Sequence, residues 1–187
     1  LNESVYTNVS INKSGYTEVV PGQEIRYTFK DIGNNSTVPL DSFYWRDTLP
    51  TDAVRLDKII TGTYSTRLNY KVVFQTNLSN TQRVLADNLN TLQNYTLDAS
   101  PAALGLASNE YVTQVTFLFG RVPGGFRQVE TPYIYCDVLS SLPHEYRFSN
   151  KCDVGGMWQN QWIQATDRWV TIIYRGGPVP TLPRTGY

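Results

Sequence analysis

The 187-residue sequence has few of the residues that usually build catalytic and metal sites: two cysteines, one methionine and one histidine. These numbers exclude a metal cluster of His and Cys ligands. The histidine, His144, lies in a turn-like segment, and nothing there positions it for a Ser-His-Asp or Cys-His arrangement. A glycine-rich phosphate-binding loop is also missing from the sequence. We therefore expect no metal, no cofactor and no enzymatic activity, with a carboxylate pair for glycoside hydrolysis as the remaining enzymatic alternative.

The sequence also lacks an excess of charge and any long apolar run. Its 16 Lys and Arg residues are balanced by 16 Asp and Glu residues, which gives no electrostatic attraction to nucleic acid or to an anionic membrane. No apolar run is long enough to cross a bilayer, and Leu1 begins a polar, strand-like segment rather than a signal peptide. We expect a monomer that does not bind nucleic acid.

Aromatic and β-branched residues are abundant and follow a two-residue period. Apolar residues make up 41% of the chain, which is ample for a core. Ile25, Tyr27 and Phe29, for example, alternate with polar residues. The alternating segments lie near residues 5–11, 25–29, 43–45, 70–74, 112–119, 134–138, 148–154 and 169–174. Turns rich in Pro, Gly and Asn separate them, and only residues 99–108 favour a helical turn. This pattern predicts an all-β chain folded as a β-sandwich.

The last residues of the chain contain a short motif. Its members are Leu182, Pro183, Arg184, Thr185 and Gly186. A Pro- and Gly-rich spacer, residues 176–180, precedes it. The motif resembles the sorting signal of Gram-positive surface proteins, and the alternative is a chance match. In that family a sortase thiol attacks the Thr–Gly bond, here Thr185–Gly186, and the threonine carbonyl passes to an amine of the peptidoglycan precursor. The resemblance implies an extracellular protein of the Gram-positive cell wall whose partners are sortase and peptidoglycan.

Three further patterns occur in the first third of the sequence. They are Pro-Gly at 21–22 before a Tyr-Thr strand, a Gly-Asn turn at 33–34, and Asp-Thr-Leu-Pro at 47–50. Together they resemble the immunoglobulin-like modules of bacterial cell-wall proteins and pilins. The resemblance implies an immunoglobulin-like β-sandwich in residues 1–175, followed by a linker and the sorting-signal tail in residues 176–187. The middle, about residues 62–129, is longer than such a module needs. It is either an elaboration of the sandwich or a second, packed β unit.

Three polar residues occupy positions that the alternation assigns to the core. Lys13 falls on the same side of its strand as the apolar residues of the first strand. Asp47 likewise shares a side with Phe43 and Trp45, and Asn150 shares a side with the apolar residues next to it in the alternation. Because an unpaired buried charge is costly, each of these side chains needs a partner. In a sandwich the first strand and a late strand can be neighbours, so the three side chains can meet.

A lysine, an acid and an asparagine form the trio that builds intramolecular isopeptide bonds in pilin-type modules. The resemblance implies that the Lys13 amine attacks the Asn150 side-chain amide, that Asp47 promotes the reaction, and that ammonia leaves. Each residue also has an ordinary alternative. Lys13 can extend to water from a strand end, Asp47 can cap the following turn, and Asn150 can pair with backbone at a bulge.

Two other pairs of residues have open roles. Cys136 and Cys152 either form a disulfide, which suits an oxidising location, or remain buried thiols. Trp158 and Trp162 either form a platform on which a sugar stacks, or pack at the edge of the sandwich as part of a hairpin.

The leading hypothesis is a non-enzymatic structural or stalk module of a sortase-anchored surface protein. The alternative is an adhesin-type module that recognises a glycan or a host protein through surface aromatic residues.

Overall fold

The structure is a computed structural model and describes residues 4–176 of the chain. Its elements follow this order along the chain: β1 (Val9–Ser14), β2 (Glu18–Val19), β3 (Glu24–Asn34), β4 (Leu40–Thr48), β5 (Val54–Ile60), β6 (Asn69–Thr76), β7 (Ser79–Asn90), β8 (Thr96–Asp98), α1 (Pro101–Leu104), β9 (Val112–Val122), β10 (Tyr133–Val138), β11 (Arg147–Trp158) and β12 (Gln161–Ile173).

The strands form two sheets. The smaller sheet has the order β1-β3-β10-β5-β8, and the larger one the order β2-β12-β11-β4-β9-β6-β7. The pairs are antiparallel except for the short parallel contact of β2 with β12. One hydrophobic cluster draws residues from both sheets and fills the space between them. The predicted all-β sandwich is therefore confirmed.

The two-residue period of the sequence explains which side of each strand enters the core. In β3, the side chains of Ile25, Tyr27 and Phe29 are buried, whereas Lys30 is exposed. The same alternation buries one face of β4, β9 and β11. Since each sheet has one apolar face, the two faces pack against each other and leave polar side chains outside.

Residues 62–129 contribute β6, β7 and β9 to the larger sheet and β8 to the smaller one. The helical turn predicted within residues 99–108 is present as α1. Ser100 caps its start by accepting a hydrogen bond from the Ala103 N–H, and Gly105 ends it in the left-handed region with φ 63°. Within the described residues, no helix has the length and apolar character needed to cross a membrane.

The position of β1 is the feature of the fold that matters most for the site. β1 lies at one edge of the smaller sheet, paired with β3, and it also packs against β11 and β12 of the larger sheet. The backbone N–H of Lys13 donates to a carboxylate oxygen of Asp167 on β12, at 2.7 Å. β1 therefore joins the two layers, and a side chain on its inner face can reach residues of the opposite sheet.

Candidate functional site: a buried lysine, aspartate and asparagine

The structure brings together the side chains of Lys13, Asp47 and Asn150, which the sequence assigned to the core. Lys13 comes from β1 of the smaller sheet, while Asp47 and Asn150 come from the adjacent strands β4 and β11 of the larger sheet. The relative exposure of the three residues is 5%, 0% and 0%. The cluster thus lies between the sheets, out of contact with solvent.

The Asp47 carboxylate is the centre of the cluster. Its Oδ1 lies 2.9 Å from the Lys13 Nζ, and its Oδ2 accepts a hydrogen bond of 3.4 Å from the Asn150 Nδ2. The remaining polar atom of the cluster, Asn150 Oδ1, is buried and accepts no hydrogen bond. One carboxylate therefore contacts both the amine and the nitrogen of the amide.

Strand register explains this arrangement. Asp47 lies opposite Cys152 on β11, and Asn150 is two residues before Cys152 on the same face of that strand. Asp47 and Asn150 are consequently diagonal neighbours across the β4–β11 pair. Lys13 lies opposite Phe29 on β3, which turns its side chain toward the larger sheet.

Aromatic rings surround the lysine amine. Its Nζ lies 4.1 Å from the centre of the Phe29 ring and 4.2 Å from that of the Tyr27 ring. The rings attract a cation through their π faces, but they replace the water that would otherwise solvate it. The extension of Lys13 to water, which the sequence left open, does not occur.

The surroundings also affect the acid. Burial raises the pKa of the Asp47 carboxyl above its ordinary value, and the attraction of Lys13 offsets this only in part. The carboxylate and the amine therefore form a buried pair 2.9 Å apart in a part of the core without solvent contact. The carboxylate bonds to Lys13 and Asn150 rather than capping the turn that follows β4.

The two cysteines are buried free thiols in this structure. Cys136 lies on β10 of the smaller sheet and Cys152 on β11 of the larger one. Burial raises the pKa of Cys136 well above its ordinary value and that of Cys152 to about 12. Both thiols therefore remain protonated at neutral pH, a state in which they are poor nucleophiles.

Trp158 and Trp162 belong to the β11–β12 hairpin but face different sides. Gln159 and Asn160 form the turn with φ 47° and 65°, the positive values of a type I′ turn. Trp158 pairs with Gln161, and Trp162 pairs with Met157, so the two rings lie on opposite faces. Trp158 packs against the core, whereas Trp162 is 50% exposed.

A groove on the outer face of the larger sheet is a feature that the sequence alone did not reveal. It has a volume of about 770 Å³. In its wall, Arg46 donates to both carboxylate oxygens of Asp153, at 3.0 and 2.7 Å. Behind this pair, the Tyr44 hydroxyl donates to the same carboxylate at 2.6 Å. The Trp162 ring packs edge-on against Tyr44 at 6.1 Å. The alternation within each strand indicated which side chains point outward. The sequence did not show that the two strands are paired, so it did not predict that these side chains meet.

The C-terminal motif, Leu182 to Gly186, lies outside the described residues. Its proposed role in sorting therefore depends on the sequence.

Comparison with known proteins gives fold-level similarities at low identity. No family model and no curated protein matches the sequence. Among solved structures, a cohesin module from a Clostridium perfringens family 33 glycoside hydrolase is 9% identical, with a TM-score of 0.46, and the match covers 92% of this chain and 99% of that one. The collagen-binding subdomain of the Enterococcus faecalis surface protein ACE is 11% identical, with a TM-score of 0.40 and coverage of 88% and 96%.

A collagen-binding domain from a Staphylococcus aureus adhesin is 10% identical, with a TM-score of 0.36 and coverage of 91% and 99%. The function of the present chain is therefore inferred from its own residues.

Proposed function

We propose that this chain is a non-enzymatic structural module of a Gram-positive surface protein, stabilised by an isopeptide bond between Lys13 and Asn150. The observation that carries the proposal is the contact of one buried carboxylate, Asp47, with both the amine and the amide nitrogen. A reactive pair held in place by a fold needs no enzyme, since proximity and exclusion of water supply most of what catalysis requires.

The contacts suggest the following proton path. Asp47 Oδ1 accepts a proton from the Lys13 ammonium, which leaves a neutral amine and a protonated carboxyl. The amine attacks Cγ of Asn150 and forms a tetrahedral intermediate. The carboxyl proton then passes from Asp47 to Nδ2, and the carboxylate that remains accepts the second proton of the attacking nitrogen. The Cγ–Nδ2 bond breaks, ammonia leaves, and an amide joins Nζ to Cγ.

The crosslink would join the two layers of the sandwich. Lys13 is on the edge strand of the smaller sheet, and Asn150 is on an inner strand of the larger one. Joining two positions so distant in sequence removes conformations from the unfolded chain and stabilises the fold by about 4–5 kcal/mol. A force applied at one end could then not peel β1 away from the rest of the module.

The C-terminal motif supplies the second part of the proposal. Sortase would cleave between Thr185 and Gly186 and attach the protein to peptidoglycan, so that residues 176–187 connect a β-sandwich in residues 1–175 to the cell wall. The protein would then be extracellular, with the module spacing or displaying other parts of a surface protein. Incubation with a sortase and a glycine-peptide amine tests this part separately, because the transfer product lacks Gly186 and Tyr187.

Intact mass under denaturing conditions, followed by peptide mapping, tests the crosslink. We expect a mass one ammonia below that of the sequence, and one branched peptide that contains both Lys13 and Asn150. The variants Lys13→Met and Asn150→Ala should have their full sequence masses. Lys151→Met is the matched control, because Lys151 is adjacent to Asn150 but exposed on the outer face. The control should still lose ammonia. A full sequence mass for the unmodified chain would refute the proposal.

A second candidate function is ligand binding at the outer groove of the larger sheet. It is favoured by one observation, the exposed Trp162 ring packed against Tyr44, whose hydroxyl donates to Asp153 in the groove wall. An aromatic face next to fixed polar groups suits a glycan or a protein ligand. Glycan and matrix-protein arrays test it. Binding should be lost in Trp162→Ala and retained in Trp158→Ala, whose ring lies on the other face. Absence of specific binding, or equal loss in both variants, would contradict this role.

A further inference from the structure

We propose that the Tyr27 hydroxyl donates a hydrogen bond to Asn150 Oδ1 as the crosslink forms, and so stabilises the oxyanion of the tetrahedral intermediate. This inference rests on the proposed reaction between Lys13 and Asn150. It assigns a reaction partner to the one polar atom of the cluster that Asp47 does not contact.

Two unsatisfied polar atoms in the same part of the core point to this role. Among the described residues, five buried side-chain polar atoms have no hydrogen-bond partner, and they include the Tyr27 hydroxyl and Asn150 Oδ1. One is a donor and the other is an acceptor. Leaving either atom buried without a partner destabilises the folded state, and unsatisfied atoms of this kind often mark a functional site.

The position of Tyr27 suits the proposed contact. It lies on β3 two residues from Phe29, on the same inner face, and its ring is beneath the Lys13 amine. Burial raises the pKa of its hydroxyl, and the side chains of Asn150 and Thr171, both on the larger sheet, lie near enough to lower that pKa in part, although the hydroxyl has no hydrogen-bond partner in the unreacted arrangement. The phenol thus approaches Asn150 from the smaller sheet, whereas Asp47 contacts the amide from within the larger sheet.

A glycine provides the space for the Tyr27 ring. A Cβ atom at Gly15 would lie 2.9 Å from Tyr27 Cδ1, 3.1 Å from Cε1 and 3.2 Å from Trp169 Cδ1. Any larger residue at this position would have to displace the ring. The close approach of the backbone therefore fixes the ring where it lies.

The chemistry of the amide explains why a donor is needed there. Attack on Cγ converts the carbonyl oxygen into an oxyanion, and in a dry site no water can solvate that charge. Asp47 cannot stabilise it, since both of its oxygens are engaged with nitrogen atoms. Burial raises the pKa of Tyr27 far above its ordinary value, so the hydroxyl keeps its proton and remains a donor. A donor that is unpaired before the reaction and paired during it lowers the barrier rather than stabilising the ground state.

The test compares the rate of crosslinking with the rate of folding in the full chain. The chain is made in a short pulse of cell-free synthesis, and timed samples are divided in two. One half is denatured in acid for intact mass, which reports loss of ammonia. The other half is treated briefly with protease, which reports folding. We expect Tyr27→Phe to fold at the wild-type rate and to lose ammonia about 100-fold more slowly, the size of effect seen when one oxyanion donor is removed. A folded, uncrosslinked species should accumulate.

Tyr70→Phe is the matched control. Its hydroxyl is also buried without a partner, but the ring belongs to the cluster with Tyr64 and Phe119. It should crosslink at the wild-type rate. Wild-type crosslinking in Tyr27→Phe would overturn the inference while leaving the isopeptide proposal intact. Absence of ammonia loss in the wild-type chain would instead overturn the isopeptide proposal.

A further replacement covers the case in which Tyr27→Phe slows folding. 3-Fluorotyrosine at position 27 keeps the ring and carries a hydroxyl that is a stronger donor. It should accelerate the loss of ammonia from the folded chain. An unchanged or lower rate would overturn the role assigned to Tyr27.

Discussion

Two substitutions in the buried cluster should destabilise the fold by different amounts, although both prevent the crosslink. Lys13→Met removes the nucleophile, and Asp47→Asn removes the acid while preserving the shape of the side chain. In Lys13→Met, the remaining Asp47 can take up a proton and become neutral, because burial already raises its pKa. In Asp47→Asn, the Lys13 amine loses the carboxylate with which it pairs and stays buried among rings.

The expected magnitudes follow from these two situations. Both variants lose the constraint on the unfolded chain, which is about 4–5 kcal/mol. Asp47→Asn also leaves one member of a buried ion pair without its partner, which costs about 3–5 kcal/mol more. Since whole domains are stable by only about 5–15 kcal/mol, we expect Lys13→Met to fold and Asp47→Asn to be marginal or unfolded at 25 °C.

Urea denaturation followed by tryptophan fluorescence measures the difference, with intact mass confirming that neither variant is crosslinked. Arg46→Met, next to Asp47 but with its side chain on the outer face, is the matched control and should keep the crosslink. Equal free energies of unfolding for Lys13→Met and Asp47→Asn would refute the electrostatic part of the reasoning. Loss of ammonia in Asp47→Asn at the wild-type rate would refute the role of the acid.

Three further predictions concern pH, the thiols and the backbone at Gly15. In Lys13→Met, the raised pKa of Asp47 means that the folded state binds a proton more tightly than the unfolded state does. The contribution of Asp47 to the stability of the fold should be fully present below the ordinary pKa of 3.8 and be lost as the pH rises through the raised pKa. Urea midpoints that increase with pH across this interval would contradict the prediction. Cys136 and Cys152 should be unreactive toward a thiol reagent in the native protein and react fully in urea, and rapid native labelling of either would show that it is not buried. Gly15→Ala should displace the Tyr27 ring, destabilise the fold by about 1–3 kcal/mol and slow the loss of ammonia, with an unchanged time course as the contrary result.

The sequence was most informative about which side of a strand a residue occupies. A two-residue period is local, so the inward positions of Lys13, Asp47 and Asn150 could be predicted from a few neighbours each. The fold class followed from the same pattern and from the turns between the segments. These inferences required no knowledge of which strands pair.

The contacts within the site depended on information that is not local. That β1 belongs to the sheet opposite β4 and β11 follows from the packing of the whole sandwich, and a pattern within one strand does not encode it. Tyr27 was indistinguishable from an ordinary core aromatic, because only the assembled core shows that its hydroxyl lacks a partner. The different faces of Trp158 and Trp162 likewise follow from the two-residue turn at Gln159 and Asn160, which contains no glycine to indicate its type.

The intact mass of the denatured, unmodified chain is the decisive measurement for the bond between Lys13 and Asn150. If Lys13 and Asn150 are joined, the mass lies one ammonia below that of the sequence, and it returns to the full sequence mass in Lys13→Met. A full sequence mass for the folded wild-type protein would show that the buried cluster is an unreacted ion pair and that no isopeptide bond forms.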